Sequence, residues 1–294
     1  MADYRYSNLQ TVAERLRAAR ENMTAAERSV TGELMSNYPV SGLVPIVQIA
    51  AKSKVSAPTV TRLVTKLGYS GFAEFQNALR QEVQTQMFSP VDIYPSEETS
   101  VADGPALAKA RYVQAITSTF QNMAPGDVEA AVEKLADASR PITLLGGRYS
   151  HVLASHLGAY LAMLRPRVSI CPDQSGPRMS ALVELDADSV AVVYDFRRYQ
   201  ATSIDWGKAA AKRGAFLILV TDQYLSPLSS TADALLTASS RGLEPFDSMV
   251  CAMAVNDMLI SEVARIRGSD ARDRLAAFEE LQIAQEAGSG SRKG

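Results

Sequence analysis

The sequence predicts an all-α N-terminal domain with a helix-turn-helix, followed by a C-terminal α/β domain whose parallel sheet carries helices on both faces. Three observations predict this. Residues 47–78 hold two short amphipathic helices separated by a turn. A stretch with two prolines and several small polar and acidic residues, 88–104, breaks every periodic pattern. From Pro141 onward, short continuous apolar runs alternate with helical stretches, as in strands buried on both faces.

In order, residues 8–22 form a candidate helix with Ala13, Leu16 and Ala19 opposite Arg15, Arg17 and Arg20. Thr24 with Glu27 three residues later is a capping box, opening a helix to about Asn37. The helix-turn-helix follows. Ile46, Ile49 and Ala50 form the inner face of its first helix, and small Ala50 permits a close crossing. The second helix begins at Ser56, a good N-cap whose hydroxyl is expected to take a backbone N–H. Pro58 falls in the first turn, where its missing N–H is harmless. Val60, Leu63, Val64 and Leu67 make one apolar face, and Gly68 ends the helix. Thr59, Arg62 and Lys66 are expected on the opposite face, with Thr61 and Thr65 at its edges. Lys54 stands at the turn position where glycine is commonest, so it must accept a left-handed or bridge conformation. A helix to about Gln86 comes next, with Phe72 and Phe75 as core plugs. The expected domains are 1–87, a linker at 88–104, and 105–287, with 288–294 as a disordered tail.

The second domain opens with helices at 105–123 and 126–138. Strands are expected at 142–145, 167–171, 189–194, 215–221 and 234–238. Helical segments lie between them, near 150–164, 177–184, 200–213 and 225–231. A long helix from about Phe246 to Ile266, and another from about Ala271 to Ala287, close the chain.

A chain of 294 residues with 47% apolar side chains has ample material for two cores. Charge is divided. Residues 1–90 carry ten Lys/Arg and seven Asp/Glu; the remainder carry twenty and twenty-five. A basic first part and an acidic second part suggest that only the first meets nucleic acid. Between Glu33 and Glu74 no acid occurs, while Lys52, Lys54, Arg62 and Lys66 lie there. An acid-free surface around a short polar helix suits a phosphate backbone. The second helix of such a motif enters the major groove, so the expected partner is a double-stranded DNA operator. Cys171 and Cys251 look like buried thiols of a reducing compartment, and no Cys/His pair has metal-ligand spacing. No metal or other cofactor is expected. No apolar signal core or uninterrupted apolar run of about 18 residues occurs. The expectation is a cytoplasmic protein without membrane contact.

Ligands of parallel α/β sheets bind beyond the strands' carboxyl ends at a switch in strand order. Three loops qualify. Gly146-Gly147-Arg148-Tyr149-Ser150 follows the first strand and opens a helix, whose free N–H groups attract anions. A simple tight turn explains the glycines equally well. Asp195-Phe196-Arg197-Arg198-Tyr199 follows the third strand. Its arginines fit a phosphate or carboxylate, or else ion pairs with Asp195, Asp205 or a partner subunit. The third loop is Thr221-Asp222-Gln223. His151, in the turn after the glycines, is more simply packed or exposed than a ligand contact.

The chain resembles the RpiR-type transcriptional regulators, which join a helix-turn-helix to a sugar isomerase (SIS) domain. The resemblance covers about residues 15–270. It rests on I-A-A-K-S-K-V-S-A-P-T-V-T-R-L-V-T-K-L-G-Y-S-G-F-A-E-F, on the first-strand loop ending at Ser150, and on V-T-D-x-x-x-S-P-L-S-x-x-A-D from Val220 to Asp233. It implies a flavodoxin-like parallel sheet. By the resemblance Ser56, Thr59, Thr61 and Arg62 lie in or beside the major groove; with the basic residues of the acid-free stretch, the expected DNA face is Lys52, Lys54, Ser56, Ala57, Thr59, Thr61, Arg62 and Lys66. From the loops at the strand ends, rather than from the resemblance, the expected effector site comprises Gly147, Arg148, Ser150, Asp195, Arg197 and Arg198. One departure stands out: where such domains carry S-x-S-G-x-T after the third strand, this chain has Asp195, Arg197, Arg198 and Gln200. The expected function is a DNA-binding regulator, more simply a repressor than an activator, that senses a small anionic effector as a homodimer or homotetramer. The alternatives are a SIS domain serving assembly only, or a sugar-phosphate isomerase using Glu244 or His151 as base.

Overall fold

The computed structural model of the chain describes residues 11–36, 38–87, 91, 94, 104–172 and 175–290. Apart from Val91, Tyr94 and Gly104, the expected linker lies outside these residues, as do residues 291–294.

Among the described residues the N-terminal part has five α-helices: α1 (Val12–Ala18), α2 (Ala25–Ser36), α3 (Ile46–Lys52), α4 (Ala57–Lys66) and α5 (Phe72–Met87). Capping boxes start the first two. The Thr11 hydroxyl accepts from Glu14 N while Glu14 accepts from Thr11 N. Thr24 and Glu27 do the same for α2. At the α3–α4 turn, Lys54 has φ 54°, and Val55 N donates to Ala50 O at 2.9 Å. Gly68 stops α4 with φ 89°, a conformation that costs an L side chain about 1–2 kcal/mol. Ile49, Val60, Leu63, Val64, Phe75 and Leu79 form one core with Leu16, Val30 and Leu34.

Ser56 departs from expectation. It occupies the N-cap of α4 but makes no side-chain cap hydrogen bond. Pro58, at the second helical position, has no N–H to offer. The N–H of Thr59 is already taken by the Ser56 carbonyl at 2.9 Å. The Ser56 hydroxyl instead lies 3.0 Å from the Thr59 hydroxyl.

The C-terminal part begins with α6 (Gly104–Gln121) and α7 (Pro125–Ala136). Then come β1 (Ile142–Gly146), α8 (His151–Leu164), β2 (Val168–Ile170), α9 (Ser175–Val183), β3 (Val190–Asp195), α10 (Ala201–Lys212), β4 (Phe216–Thr221) and β5 (Ala234–Thr237). A short 3-10 turn, Pro227–Ser230, separates β4 from β5, and α11 (Val250–Arg267) and α12 (Ser269–Gly290) follow. The five strands are parallel, in the order β2-β1-β3-β4-β5. This is the flavodoxin-like order, with its switch point between β1 and β3. Ile142, Leu144, Val190, Val192, Ile218 and Val220 face α7, α8 and α11. Leu145, Ala191, Val193, Leu217 and Leu219 face the α9–α10 side with Trp206. Every residue of β1 and β3 is buried, which accounts for their largely apolar sequence.

Four spans differ from expectation. The first helix, expected over 8–22, runs Val12–Ala18 with a separate 3-10 turn at Arg20–Asn22, residues 8–10 lying outside the described ones, and the segment expected as helical near 225–231 is only the Pro227–Ser230 turn. The helix expected from Phe246 begins at Val250, because residues 238–249 fold back as a loop in which Ser248 N donates to Ser240 O. The last helix runs to Gly290, since extending a formed helix is far easier than nucleating one. Both cysteines are free and buried. No described helix is long and apolar enough to cross a membrane.

Candidate DNA-binding face and ligand crevice

Thr61, Arg62, Thr65 and Lys66 of α4 are exposed, with Ser56 and Pro58 at its start. Ala57 is half-buried. Thr59 departs from expectation: it is 8% exposed. It lies one turn before Leu63, on the edge of the apolar face, so the outward stripe is centred on Thr61, Arg62 and Thr65. Arg62 Nη2 donates to the Thr59 hydroxyl at 3.2 Å, which ties the arginine to its own helix.

The acid-free surroundings expected from sequence do not hold in three dimensions. Helix α2 packs across α3 and α4 and brings two glutamates with it. Glu33 pairs with Lys52 at 3.1 Å, and Glu27 pairs with Lys66 at 3.0 Å. The Glu27 carboxylate is held below its usual range, first by the Thr24 backbone N–H and then by Lys66. Among the described residues, Lys54 and Arg62 form no ion pair and remain exposed. The free cations of the motif therefore sit at the turn and at the middle of α4.

At the carboxyl edge of the sheet, Gly146 of β1 lies beside Tyr194 of β3. A Cβ on Gly146 would stand 2.5 Å from the His151 backbone nitrogen, so only glycine fits this turn. The Ser150 hydroxyl, 6% exposed, accepts from Gly147 N at 2.8 Å and donates to Tyr194 O at 2.9 Å. Gln200 lies over the glycines. Its Oε1 accepts from Arg148 N at 3.3 Å and lies 2.8 Å from where a Cβ on Gly147 would be. Two backbone N–H groups at this helix start are thus satisfied within the chain.

The loop after β3 is built on two buried carboxylates. Asp195 accepts from Gln200 N at 3.2 Å and from the Ser226 hydroxyl. Asp222 accepts from the Tyr199 hydroxyl at 2.8 Å, from Tyr224 N at 2.9 Å and from Arg197 N. Burial pushes each carboxyl up to about 6, against those hydrogen bonds. Arg197 forms a two-pronged pair with Asp247, at 3.0 and 2.7 Å, and its side chain is 6% exposed. Asp247 is not among the partners expected from sequence; it is fifty residues away, in a loop with no sequence signal for the pairing. Arg198 is exposed with φ 69°, and Arg148 is exposed across the β1–β3 switch. Of the expected effector residues, Gly147, Ser150, Asp195 and Arg197 have internal partners, and Arg148 and Arg198 supply accessible charge.

His151 Nδ1 is buried without a hydrogen-bond partner in the structure, and Glu244 is half-buried in the 238–249 loop. No contact joins the two among the described residues, so no acid–base pair is assembled from them. No group of three His, Cys, Asp or Glu side chains fit for a metal occurs among the described residues. A groove of about 620 Å³ lies elsewhere, between α7 and α11, lined by Val128, Val132, Ala136, Met258 and Ile266.

Comparison with known proteins accords with this arrangement. Residues 10–86 match the helix-turn-helix domain of the rpiR family, and residues 134–262 match the SIS domain. The chain is 23% identical over 283 residues to the HTH-type transcriptional regulator HexR of Pseudomonas aeruginosa, covering 94% of this chain and 96% of that protein. It is 31% identical over 147 residues to the bifunctional protein glk of Paraburkholderia xenovorans, but that match covers 49% of this chain and only 22% of the relative. The sugar isomerase domain of an RpiR transcription factor from Sphaerobacter thermophilus superposes with a TM-score of 0.57 at 25% identity, covering 60% of this chain and 98% of that one. The NanR protein of Vibrio vulnificus, complexed with ManNAc-6P, has the same fold, with a TM-score of 0.55 at 19% identity, covering 93% of this chain and 98% of that one.

Proposed function

Because this chain belongs to the RpiR-type family of helix-turn-helix regulators with a SIS domain, we propose that it is a repressor that binds a DNA operator through α4 and senses a small anionic metabolite at the β1–β3 crevice. The observation that carries the first half is the exposed Thr61-Arg62-Thr65 stripe on a glycine-stopped helix, with Lys54 at the adjoining turn. Short polar side chains and a guanidinium reach base edges, and flanking lysines contact phosphates. Two copies are needed to span two half-sites about one helical turn apart, so the working unit is a homodimer or homotetramer. It acts in the cytoplasm, where the operator is.

For the second half, Arg148 and Arg198 supply accessible positive charge on the two sides of the switch point, where this fold binds ligands. The complex of NanR with ManNAc-6P makes a sugar phosphate the first class to try. The chain is not an isomerase in this reading, since neither His151 nor Glu244 has a partner of the kind a general base needs. A second reading also has an observation behind it. Arg197 is tied to Asp247, and Gln200 covers Gly147, which favours a SIS domain that serves assembly alone.

Thermal unfolding of the purified protein with phosphorylated sugars and small carboxylates separates the readings. A ligand at a hundred times its dissociation constant stabilises the folded state by about 2.7 kcal/mol. A rise in Tm with one class of anion, lost in Arg198→Ala, supports the sensor. No shift across the panel supports assembly alone.

A further inference from the structure

The segment after β4 belongs to both halves of the molecule. Its first anchor is the crevice. Asp222 holds Arg197 N and the Tyr199 hydroxyl, and the Ser226 hydroxyl donates to Asp195. Ser226 N also donates to the Thr221 hydroxyl at 3.1 Å. Its second anchor is the DNA-binding part. The Gln223 carbonyl accepts from the Thr11 hydroxyl at 3.4 Å, at the cap of α1. Leu225 is 1% exposed and is packed in the N-terminal core, with Leu16, Val30, Leu34 and Leu63. The following turn, Pro227–Ser230, packs against α2.

Leu225 holds φ 64°, a left-handed conformation that a leucine adopts only when its surroundings impose it. Both anchors impose it here. Tyr224 and Ser226, its chain neighbours, are bonded to Asp222 and Asp195 through a backbone N–H and a hydroxyl, and its side chain is a buried member of the N-terminal core. A change at either carboxylate alters the footing of a side chain buried in the DNA-binding core.

We propose that the Asp222–Ser226 loop is the element through which occupancy of the β1–β3 crevice reaches the DNA-binding helices, with Leu225 as the residue that transmits it. The proposal rests on the reading of the crevice as a ligand site. A ligand that draws Arg198 or Gln200 toward itself moves the Asp195–Tyr199 segment. That segment shares Asp195 and Asp222 with the β4 loop, so Leu225 is displaced and the packing of α1 and α2 loosens. The state favoured by ligand is the one with Leu225 withdrawn.

Hydrogen–deuterium exchange on the full-length protein tests this without knowledge of the ligand. Ser226→Ala removes the bond to Asp195 and is expected to speed amide exchange in α1 and α2 by about threefold or more. Leu157→Ala, a core change in α8 remote from the loop, serves as control and leaves that region unchanged. Added to Leu225→Ala, the Ser226→Ala change has no further effect on α1 and α2, because the transmitting side chain is gone. Thr221→Val, which removes the acceptor for Ser226 N, replaces Ser226→Ala if that variant does not fold. Exchange that rises only within residues 195–230, or effects of the two substitutions that simply add, would overturn the proposal. A parallel run with ManNAc-6P separates it from the ligand reading. Protection of residues 146–151 and 195–200 with α1 and α2 unmoved overturns the coupling and leaves the ligand site standing. No protection anywhere, with transmission in the variants, upholds the coupling and counts against this ligand class.

Discussion

Glu82 of α5 shows how much of this molecule's behaviour is set by single buried groups. It accepts from Val12 N at 2.7 Å and from the Tyr38 hydroxyl, tying α5 to α1. Burial raises its carboxyl to about 7, against the pull of those two donors. The unfolded value is about 4.3, so the folded state binds the extra proton between the two. The favourable contribution is complete below about 4.3 and is lost as pH rises through about 7. Glu82→Gln imitates the protonated form. It is expected to gain on the wild type between pH 5 and pH 8, by roughly 1–3 kcal/mol in urea unfolding. A gap that stays constant over that range would show that Glu82 does not titrate in the folded protein. On the DNA face, Arg62→Ala is expected to weaken operator binding by about 1–3 kcal/mol if Arg62 reads a base. Unchanged affinity in a gel shift would count against that docking. Residue identities at the helix-turn-helix were legible because helical period and turn chemistry are local. The strained Lys54 followed from a missing glycine. The burial of Thr59, the Glu27–Lys66 pair and the Arg197–Asp247 pair did not follow, since each depends on packing that sequence spacing does not express.

At the level of elements, nearly every helix and strand lies within a residue or two of its expected span. Continuous apolar runs and capping signals are strong local cues. The exceptions are the first helix, the 225–231 segment, the end of α12 and the start of α11. An apolar helix is expected from about Phe246, but Asp247 is drawn into the pair with Arg197 and Ser248 N donates to Ser240 O, so α11 starts at Val250. The two stops of the helix-turn-helix make opposite predictions. Gly68→Ala forces a side chain into φ 89° and is expected to destabilise the protein by about 1–2 kcal/mol. Lys54→Gly removes strain at φ 54° and is expected to stabilise it by about 0.5–1 kcal/mol, while weakening DNA binding through the lost charge. Unfolding midpoints of the two variants, measured side by side, check the signs. A loss of stability in Lys54→Gly would mean that the turn is not strained by its lysine.

At the level of the whole molecule, the N-terminal helices are seated on their own sheet domain through Thr11, Arg17 and Leu225, and α4 keeps its Thr61-Arg62-Thr65 stripe exposed. Architecture and family were legible from sequence, because a helix-turn-helix pattern followed by five short apolar runs alternating with helices leaves few other folds. The ligand edge was not, because its polar groups are satisfied by partners 25 to 50 residues away. The central claim is that α4 reads duplex DNA. Its most direct test is selection from a random duplex library by the full-length protein, followed by titration of the winning sequence at two salt concentrations. The account predicts convergence on a two-half-site sequence, with affinity that falls steeply as salt rises and is lowered by Arg62→Ala. No convergence, from protein that circular dichroism shows to be folded, would contradict it.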